Sequence, residues 1–372
     1  MILADGTCFE GRSIGALGTS MGETVFATGM TGCLETLTDP SYYGQIAVQT
    51  FPLIGNYGVI PQDFESQKSW VSGYVVRELC DQPSNFRCQG PLDDFLKAQK
   101  IVGVCGIDTR ALAKRLREKG VMNGMILSED AFKKQKSLED LLQKIRSYKI
   151  QDAVQSVCRA KEIPLVQKKS EKKLVALYDF GAKENIMREL KKRGAETLLL
   201  PFDAKAEDVL SLNPDGIMLS NGPGDPAENK GSIDEVKKLC AYGKIPIFGI
   251  CLGHQILALA RGGKTLKLKY GHRGSNHPVK DEKTGRVYIT SQNHGYAVDP
   301  LSLPSFARMT FSNANDGTCE GLEYSDIPAF SVQFHPEACA GPRDTNFLFD
   351  KFFAMMNQGA DARGGFDFHA AQ

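Results

Sequence analysis

The most reactive arrangement in the chain is Gly249-Ile250-Cys251-Leu252-Gly253. An apolar run, Ile245–Ile250, precedes it and a helical stretch through Ala260 follows. This is the form of a nucleophile elbow with cysteine in place of serine. The turn puts Cys251 at its apex, in front of a helix N-terminus whose N–H groups and positive potential favour thiolate over thiol. The N–H of Leu252, just after the nucleophile, is set to donate to a developing oxyanion. A single cysteine is more often a small buried apolar residue, and that reading holds for the other nine cysteines. Glycine at both i−2 and i+2 separates Cys251 from them.

A thiolate of this kind needs a base. His335 lies in Ser331-Val332-Gln333-Phe334-His335-Pro336-Glu337, directly after an apolar strand. In an extended segment i and i+2 face one side, so Glu337 is positioned to orient the His335 ring. Without Cys251 the same two residues read equally well as a surface pair.

Other motifs carry less. Gly222-Pro223-Gly224-Asp225-Pro226-Ala227 matches a dinucleotide fingerprint in form, but two prolines remove N–H donors that a phosphate needs. The loop instead suits close approach of backbone to a small ligand. Gly263-Lys264-Thr265 lacks the first glycine of a phosphate loop and follows a helix. Lys267 and Lys269 alternate with Leu266, Leu268 and Tyr270, the pattern of a solvated strand face. His272 and His277 have neither nearby thiols nor an HExxH spacing, so no metal site is expected.

The elements that must hold these residues differ between two halves. Residues 1–127 carry strand-like runs at Thr24–Phe26, Gln45–Phe51, Trp70–Arg77 and Val121–Leu127, separated by Gly and Pro turns. Helices are expected at Leu92–Gln99, from Asp108 to a stop at Gly120, and at Ser137–Ser147, where Ser137 and Asp140 resemble a capping box. The charged run Lys168–Lys173 reads as a solvated linker. From Leu174 onward strand and helix alternate: strands Leu174–Tyr178, Thr197–Leu200, Gly216–Ser220 and Ile245–Ile250, helices Ala182–Arg193, Glu207–Leu212 and Ser232–Tyr242, the last opened by a Ser232/Glu235 capping box. Repeated β-α pairs require parallel strands, because the crossover helix returns the chain. Beyond Lys264 β-hairpins follow, then a closing helix, Asp344–Met356. The expected class is α/β: a mixed β/α domain over 1–150, a linker over 151–173, an open, mostly parallel sheet flanked by helices over 174–358, and a frayed tail over 359–372.

Composition excludes several function classes. The 372 residues are 42% apolar and 24% charged, enough for a sizeable core. Lys+Arg 45 against Asp+Glu 44 leaves a net charge of +1, which demotes general binding to nucleic acid or anionic membranes. No apolar run approaches the ~20 residues of a membrane span, and Met1–Arg12 lacks the layout of a secretory signal. Ten scattered cysteines without a CxxC read as reduced cytosolic thiols.

At this point "SNGPGDP" (220–226), "FGICLGHQ" (248–255) and "SVQFHPE" (331–337) together resemble the class I glutamine amidotransferase domain. "YDFGAKENI" (178–186), "TSQNHGYAV" (290–298), "LTDPSYYGQI" (37–46), "FPLIGNYG" (51–58) and "GIDTRAL" (106–112) are similar to the small, glutamine-hydrolysing subunit family of carbamoyl-phosphate synthetases. The likeness runs from residue 2 to about 356, and the N-terminal segments separate this family from other glutaminases.

The resemblance implies roles residue by residue. Cys251 is the nucleophile, His335 the general base and acid, and Glu337 its orienter. Backbone groups at Leu252 and Gly222 form the oxyanion hole. Ser41, Gly224, Gln255, Asn293, Gly295 and Tyr296 hold the amino-acid end of L-glutamine, Ser41 coming from the other domain. The implied activity is glutamine hydrolysis through a cysteine thioester, with ammonia passed to a large synthetase subunit that makes carbamoyl phosphate for arginine biosynthesis, pyrimidine biosynthesis or both. No cofactor is expected in this chain, since ATP and metal belong to the large subunit. The expected assembly is a cytoplasmic heterodimer, open to higher oligomers, with no nucleic acid or membrane partner. The competing readings are the glutaminase of another synthase, a free amidase, and a non-catalytic regulatory module.

Overall fold

The computed structural model describes residues 1–134, 137–163, 172–338 and 340–358. Residues 168–171 of the expected linker run and the whole expected tail, 359–372, lie outside the described residues, as does Cys339. The chain divides into two units, Met1–Ala153 and Val154 onward.

The first unit contains strands β1 (Ile2–Leu3), β2 (Arg12–Gly15), β3 (Thr19–Ala27), β4 (Gln45–Gln49), β5 (Leu53–Ile54), β6 (Gly73–Val75), β7 (Glu78–Leu79), β8 (Val102–Cys105) and β9 (Met122–Leu127). Its helices are α1 (Cys33–Thr38), α2 (Leu92–Ala98), α3 (Thr109–Lys119), α4 (Glu129–Lys133) and α5 (Leu138–Ser147). Seven strands form one mixed sheet, in the order β1-β9-β3-β4-β6-β8-β2, while β5 and β7 pair apart. Strands β2 and β8 were not expected. Each is four residues long, too short for a period-2 pattern to declare itself. Helix α3 starts where its capping residue predicts: the Asp108 carboxylate accepts the Ala111 N–H at 2.9 Å, and Gly120 ends it at φ 95°. Leu112 and Leu116 are its buried face. Ser137 caps α5 by accepting the N–H groups of Glu139 and Asp140. Ser41 sits in a short 3₁₀ turn, Pro40–Tyr42, buried, with its N–H donated to Asp39 Oδ1 at 2.9 Å.

Between the units, α6 (Ala153–Val157) lies within the stretch expected to be linker. Val154 joins the core of the second unit, and Arg159 donates its N–H to Asp179 Oδ2 at 2.7 Å.

The second unit contains β10 (Leu174–Tyr178), α7 (Glu184–Lys192), β11 (Glu196–Leu200), α8 (Ala206–Ser211), β12 (Gly216–Leu219), α9 (Lys230–Tyr242), β13 (Ile247–Ile250), α10 (Leu252–Ala260), β14 (Thr265–Asp281), β15 (Val287–Val298), β16 (Ala307–Asn313), β17 (Cys319–Tyr324), β18 (Ala329–Val332) and α11 (Phe347–Gln358). Nine strands form one sheet, β11-β10-β12-β13-β18-β17-β15-β14-β16. The first five are parallel and the rest antiparallel. Strand residues alternate between two cores, as the period of two requires. Ala176, Ile217, Leu219 and Ile247 pack with α8, α9 and α10, whereas Val175, Leu177, Met218 and Phe248 pack with α7 and α11. Phe248 stacks on Phe330 at 4.3 Å and meets Phe349 of α11 at 5.8 Å.

The capping box expected at Ser232 and Glu235 does not form. Helix α9 begins two residues earlier, at Lys230. Ser232 Oγ instead donates to Phe202 O at 2.7 Å, and Glu235 Oε2 accepts the Ala206 N–H at 2.9 Å. Both side chains serve the neighbouring segment rather than their own helix end.

Candidate active site

Cys251 joins β13 to α10 at φ 52° and ψ −103°. A non-glycine residue held there costs on the order of 1–3 kcal/mol, which the surrounding packing must offset. The Cys251 N–H donates to Val332 O at 2.9 Å, and its carbonyl accepts the Gln255 N–H at 3.2 Å. The flanking glycines are needed for closeness, since neither has a positive φ. A Cβ on Gly249 would stand 2.7 Å from Gly253 O, and one on Gly253 would stand 2.2 Å from Leu219 O. Gly222 is equally confined: a Cβ there would stand 2.2 Å from Phe180 O. The Gly253 N–H donates to Ser220 O at 3.0 Å, tying the elbow to the loop that carries Gly222 and Gly224. Gly224 itself has φ 88°, which glycine adopts without strain.

Strand β18 lies beside β13, with Ile250 opposite Val332. His335 follows three residues later. Its N–H donates to Ser291 O at 2.9 Å, and its Nδ1 lies 2.7 Å from Glu337 Oε1, both side chains fully enclosed. A carboxylate only accepts, so Nδ1 carries the proton of the neutral ring and Nε2 is left basic. Burial pushes the Glu337 carboxyl up, but His335 and Lys183 outweigh it and hold Glu337 below the ordinary carboxylate value. The group is therefore an anion near neutral pH.

Three residues absent from the sequence-derived set complete this surround. Lys183 Nζ lies 3.4 Å from His335 Nδ1 and 3.6 Å from Glu337 Oε1. Asn185 donates its side-chain amide to Glu337 O. Gln333 points its amide at Cys251 Sγ, 3.6 Å away. Lys183 and Asn185 stand in "YDFGAKENI" and Gln333 in "SVQFHPE", so the motifs held them. Nothing in their spacing showed that Lys183 and Asn185 meet the His335–Glu337 pair or that Gln333 meets Cys251.

The remaining expected residues of this unit gather on the same edge. Gln255, one turn into α10, donates its amide to Tyr296 O at 2.7 Å and to Gln333 Oε1 at 2.8 Å. Asn293 is buried, and its carbonyl lies 3.7 Å from Cys251 Sγ. Gly295 and Tyr296 continue the same strand, β15. Leu252 is the first residue of α10, next to the sulfur. Ser41 belongs to the first unit. His254, in the same motif as Gln255, faces the core: Nδ1 pairs with Ser331 Oγ at 2.8 Å, and burial pulls its pKa down to about 3, so it is neutral.

The site therefore sets a strained thiol at the carboxyl edge of parallel strands, where open α/β sheets bind ligands. An imidazole hydrogen-bonded to a buried carboxylate follows the next strand three residues on. Such groups can carry nucleophilic acyl transfer.

The chain is similar to known proteins. Residues 1–126 match "Carbamoyl-phosphate synthase small chain, CPSase domain", and residues 176–355 match "Glutamine amidotransferase class-I". A carbamoyl phosphate synthase small chain of Clostridium perfringens is 51% identical over 352 residues, covering 95% of this chain and 97% of that protein. One of Symbiobacterium thermophilum is 49% identical, covering 96% and 98%. A crystal structure of a glutamine amidotransferase from Thermotoga maritima is 20% identical with a TM-score of 0.39, covering 51% of this chain and 86% of that one.

Proposed function

The chain belongs to the carbamoyl phosphate synthase small-chain family, and on that footing we propose that Cys251, His335 and Glu337 are its catalytic triad. It is the glutamine amidotransferase component of that synthase, the subunit that hydrolyses glutamine. The observation that carries the proposal is the Cys251 elbow, bonded to the strand that runs on into the His335–Glu337 pair.

In this mechanism His335 Nε2 takes the Cys251 thiol proton, and the resulting thiolate attacks the side-chain carboxamide carbon of glutamine. The resulting oxyanion is stabilised by the N–H of Leu252 and of Gly222. His335 protonates the departing nitrogen and ammonia leaves, forming a γ-glutamyl thioester. His335 then takes a proton from water, which attacks the thioester. Glutamate departs and the sulfur regains its starting state. Glu337 keeps the His335 ring in one tautomer and stabilises the imidazolium, while Lys183 and Asn185 hold Glu337. Gly224, Gln255, Asn293, Gly295 and Tyr296 hold the amino-acid end of the substrate, with Ser41 included through the family resemblance.

Ammonia released into water near neutral pH is mostly protonated and non-nucleophilic, which favours direct transfer to the large synthetase subunit. The proposed working form is a heterodimer with that subunit. We place it in the cytoplasm, consistent with nine cysteines outside any disulfide among the described residues. No helix among those residues is long and apolar enough to cross a membrane.

The test is glutamate release by the purified chain, with ATP and bicarbonate, in the presence and absence of a large subunit. Strong stimulation with matching carbamoyl phosphate is expected. Hydrolysis that ignores the large subunit would move the chain to another synthase or to free amidase chemistry. A chain inert to a glutamine-mimicking electrophile would mark a non-catalytic module.

A further inference from the structure

We propose that His272, His294 and Glu320 form a divalent transition-metal site, of the kind zinc takes, beneath the strand that carries Asn293–Tyr296. The assignment does not rest on the catalytic reading.

His272 on β14 and His294 on β15 are directly paired across the antiparallel ladder, and their rings stand 4.9 Å apart at 90°. Glu320 comes from β17. All three are buried, and one ligand atom from each lies within 4.8 Å of the others.

The hydrogen bonds fix which atoms carry lone pairs. His272 Nε2 lies 2.9 Å from Asp316 Oδ2, which only accepts, so Nε2 holds the proton and Nδ1 is left as a lone pair. That Nδ1 faces Glu320 Oε1 at 3.4 Å, and the Asn313 side-chain amide lies 3.5 Å from the first and donates to the second at 3.1 Å. His294 Nδ1 lies 2.7 Å from Tyr296 O, which again only accepts, so Nε2 is left as a lone pair. That Nε2 faces Gln292 Oε1 at 3.1 Å, and the Gln292 amide nitrogen is turned away to donate to Thr290 Oγ1 at 3.2 Å. At His294 Nε2 and Gln292 Oε1 two acceptors thus confront one another beside the Glu320 carboxylate, a buried space that a cation would satisfy.

Glu320 Oε2 gives independent support. It is buried on a residue with 0% exposure and has no hydrogen-bond partner. An orphaned carboxylate oxygen of that kind calls for a positive partner. Histidines that ligate metals donate their other N–H to a carboxylate or a backbone carbonyl. Asp316 and Tyr296 O are one of each. Two imidazoles, a carboxylate and the Gln292 amide oxygen make an N/O set suited to zinc. The ligands come from three strands, which is why no metal spacing appears in the sequence.

The test is metal content. The full chain is expressed with zinc, purified without metal-affinity chromatography, dialysed against zinc-free buffer and measured by plasma mass spectrometry. About one zinc per chain is expected. Glu320→Gln and His272→Asn should each lose it, whereas Cys251→Ala should keep it, excluding capture by the thiolate. Asp316→Asn, which spares the ligands, should weaken zinc about 10–100-fold in chelator competition. A wild-type chain that carries no zinc and takes up none on calorimetric titration overturns the proposal, as does a folded Glu320→Gln chain with full zinc. If the variants do not fold, chelator-stripped wild type decides. Returned zinc should raise hydrogen-exchange protection over residues 272–296, and unchanged protection overturns the site.

Discussion

The main-chain N–H of Cys251 donates to the carbonyl of Val332 at 2.9 Å. Through that bond the apex of the elbow is fixed to the strand that delivers His335 three residues on. The proposed nucleophile and base thus follow directly from neighbouring parallel strands that share one register, Ile250 opposite Val332.

Replacing Cys251 with Ser should lower glutamine-dependent carbamoyl phosphate synthesis by at least about 10³-fold. Synthesis from added ammonium by the assembled enzyme should be unchanged, because that route bypasses glutamine hydrolysis. Both rates are measured on the same preparation, and retained glutamine use would sink the assignment of Cys251.

Glu337→Gln should lower kcat for glutamine hydrolysis by about 10²–10⁴-fold with little change in KM. The amide no longer fixes the His335 tautomer or stabilises its cation, and Lys183 loses the carboxylate it neutralises. Steady-state kinetics separate the two constants. A raised KM with unaltered kcat would instead make Glu337 a substrate-binding residue.

Gly253→Ala should destabilise the second unit by about 1–3 kcal/mol, since its Cβ would stand 2.2 Å from a backbone oxygen. Urea denaturation gives the loss, and alkylation of Cys251 should change with it because the elbow must shift. Unaltered stability would mean that the elbow yields more easily than its packing implies.

His254 ties stability to acid. Its folded pKa of about 3 lies below the ordinary histidine value of 6.5, so the unfolded chain takes up the proton first. Stability from this group is complete above about pH 6.5 and declines as pH falls toward 3. Between pH 7.5 and 5.5 the decline is about 1 kcal/mol. His254→Asn should remove that part of the slope in urea titrations at the two pH values. An identical slope in the variant would show that the burial of His254 is not what the acid acts on.

Much of this was readable from residues alone. The alternation from Leu174 to Ala260 declared a parallel sheet, because β-α repeats leave the chain no other return path. The two glycines around Cys251 marked the elbow, although their reason is the closeness of Leu219 O and of residue 253 to residue 249, and not their own dihedral angles. Lys183, Asn185 and Gln333 were not legible as site residues, since their roles depend on strands meeting across the sheet. The Ser232/Glu235 pair misled for the related reason that a capping signature is local, and both side chains found better partners in a neighbouring segment.

The position of β18 has a consequence for synthesis on the ribosome. This strand comes late in the chain yet lies between β13 and β17, near the middle of the sheet. Until residue 332 emerges, β13 is an open edge and the Cys251 N–H lacks its acceptor. Helix α11, which covers Phe248, emerges later still. A nascent chain therefore passes through a stage with exposed strand edge and apolar surface, the stage at which chains aggregate. The same order of emergence withholds the His335–Glu337 pair until nearly all of the described chain has left the ribosome.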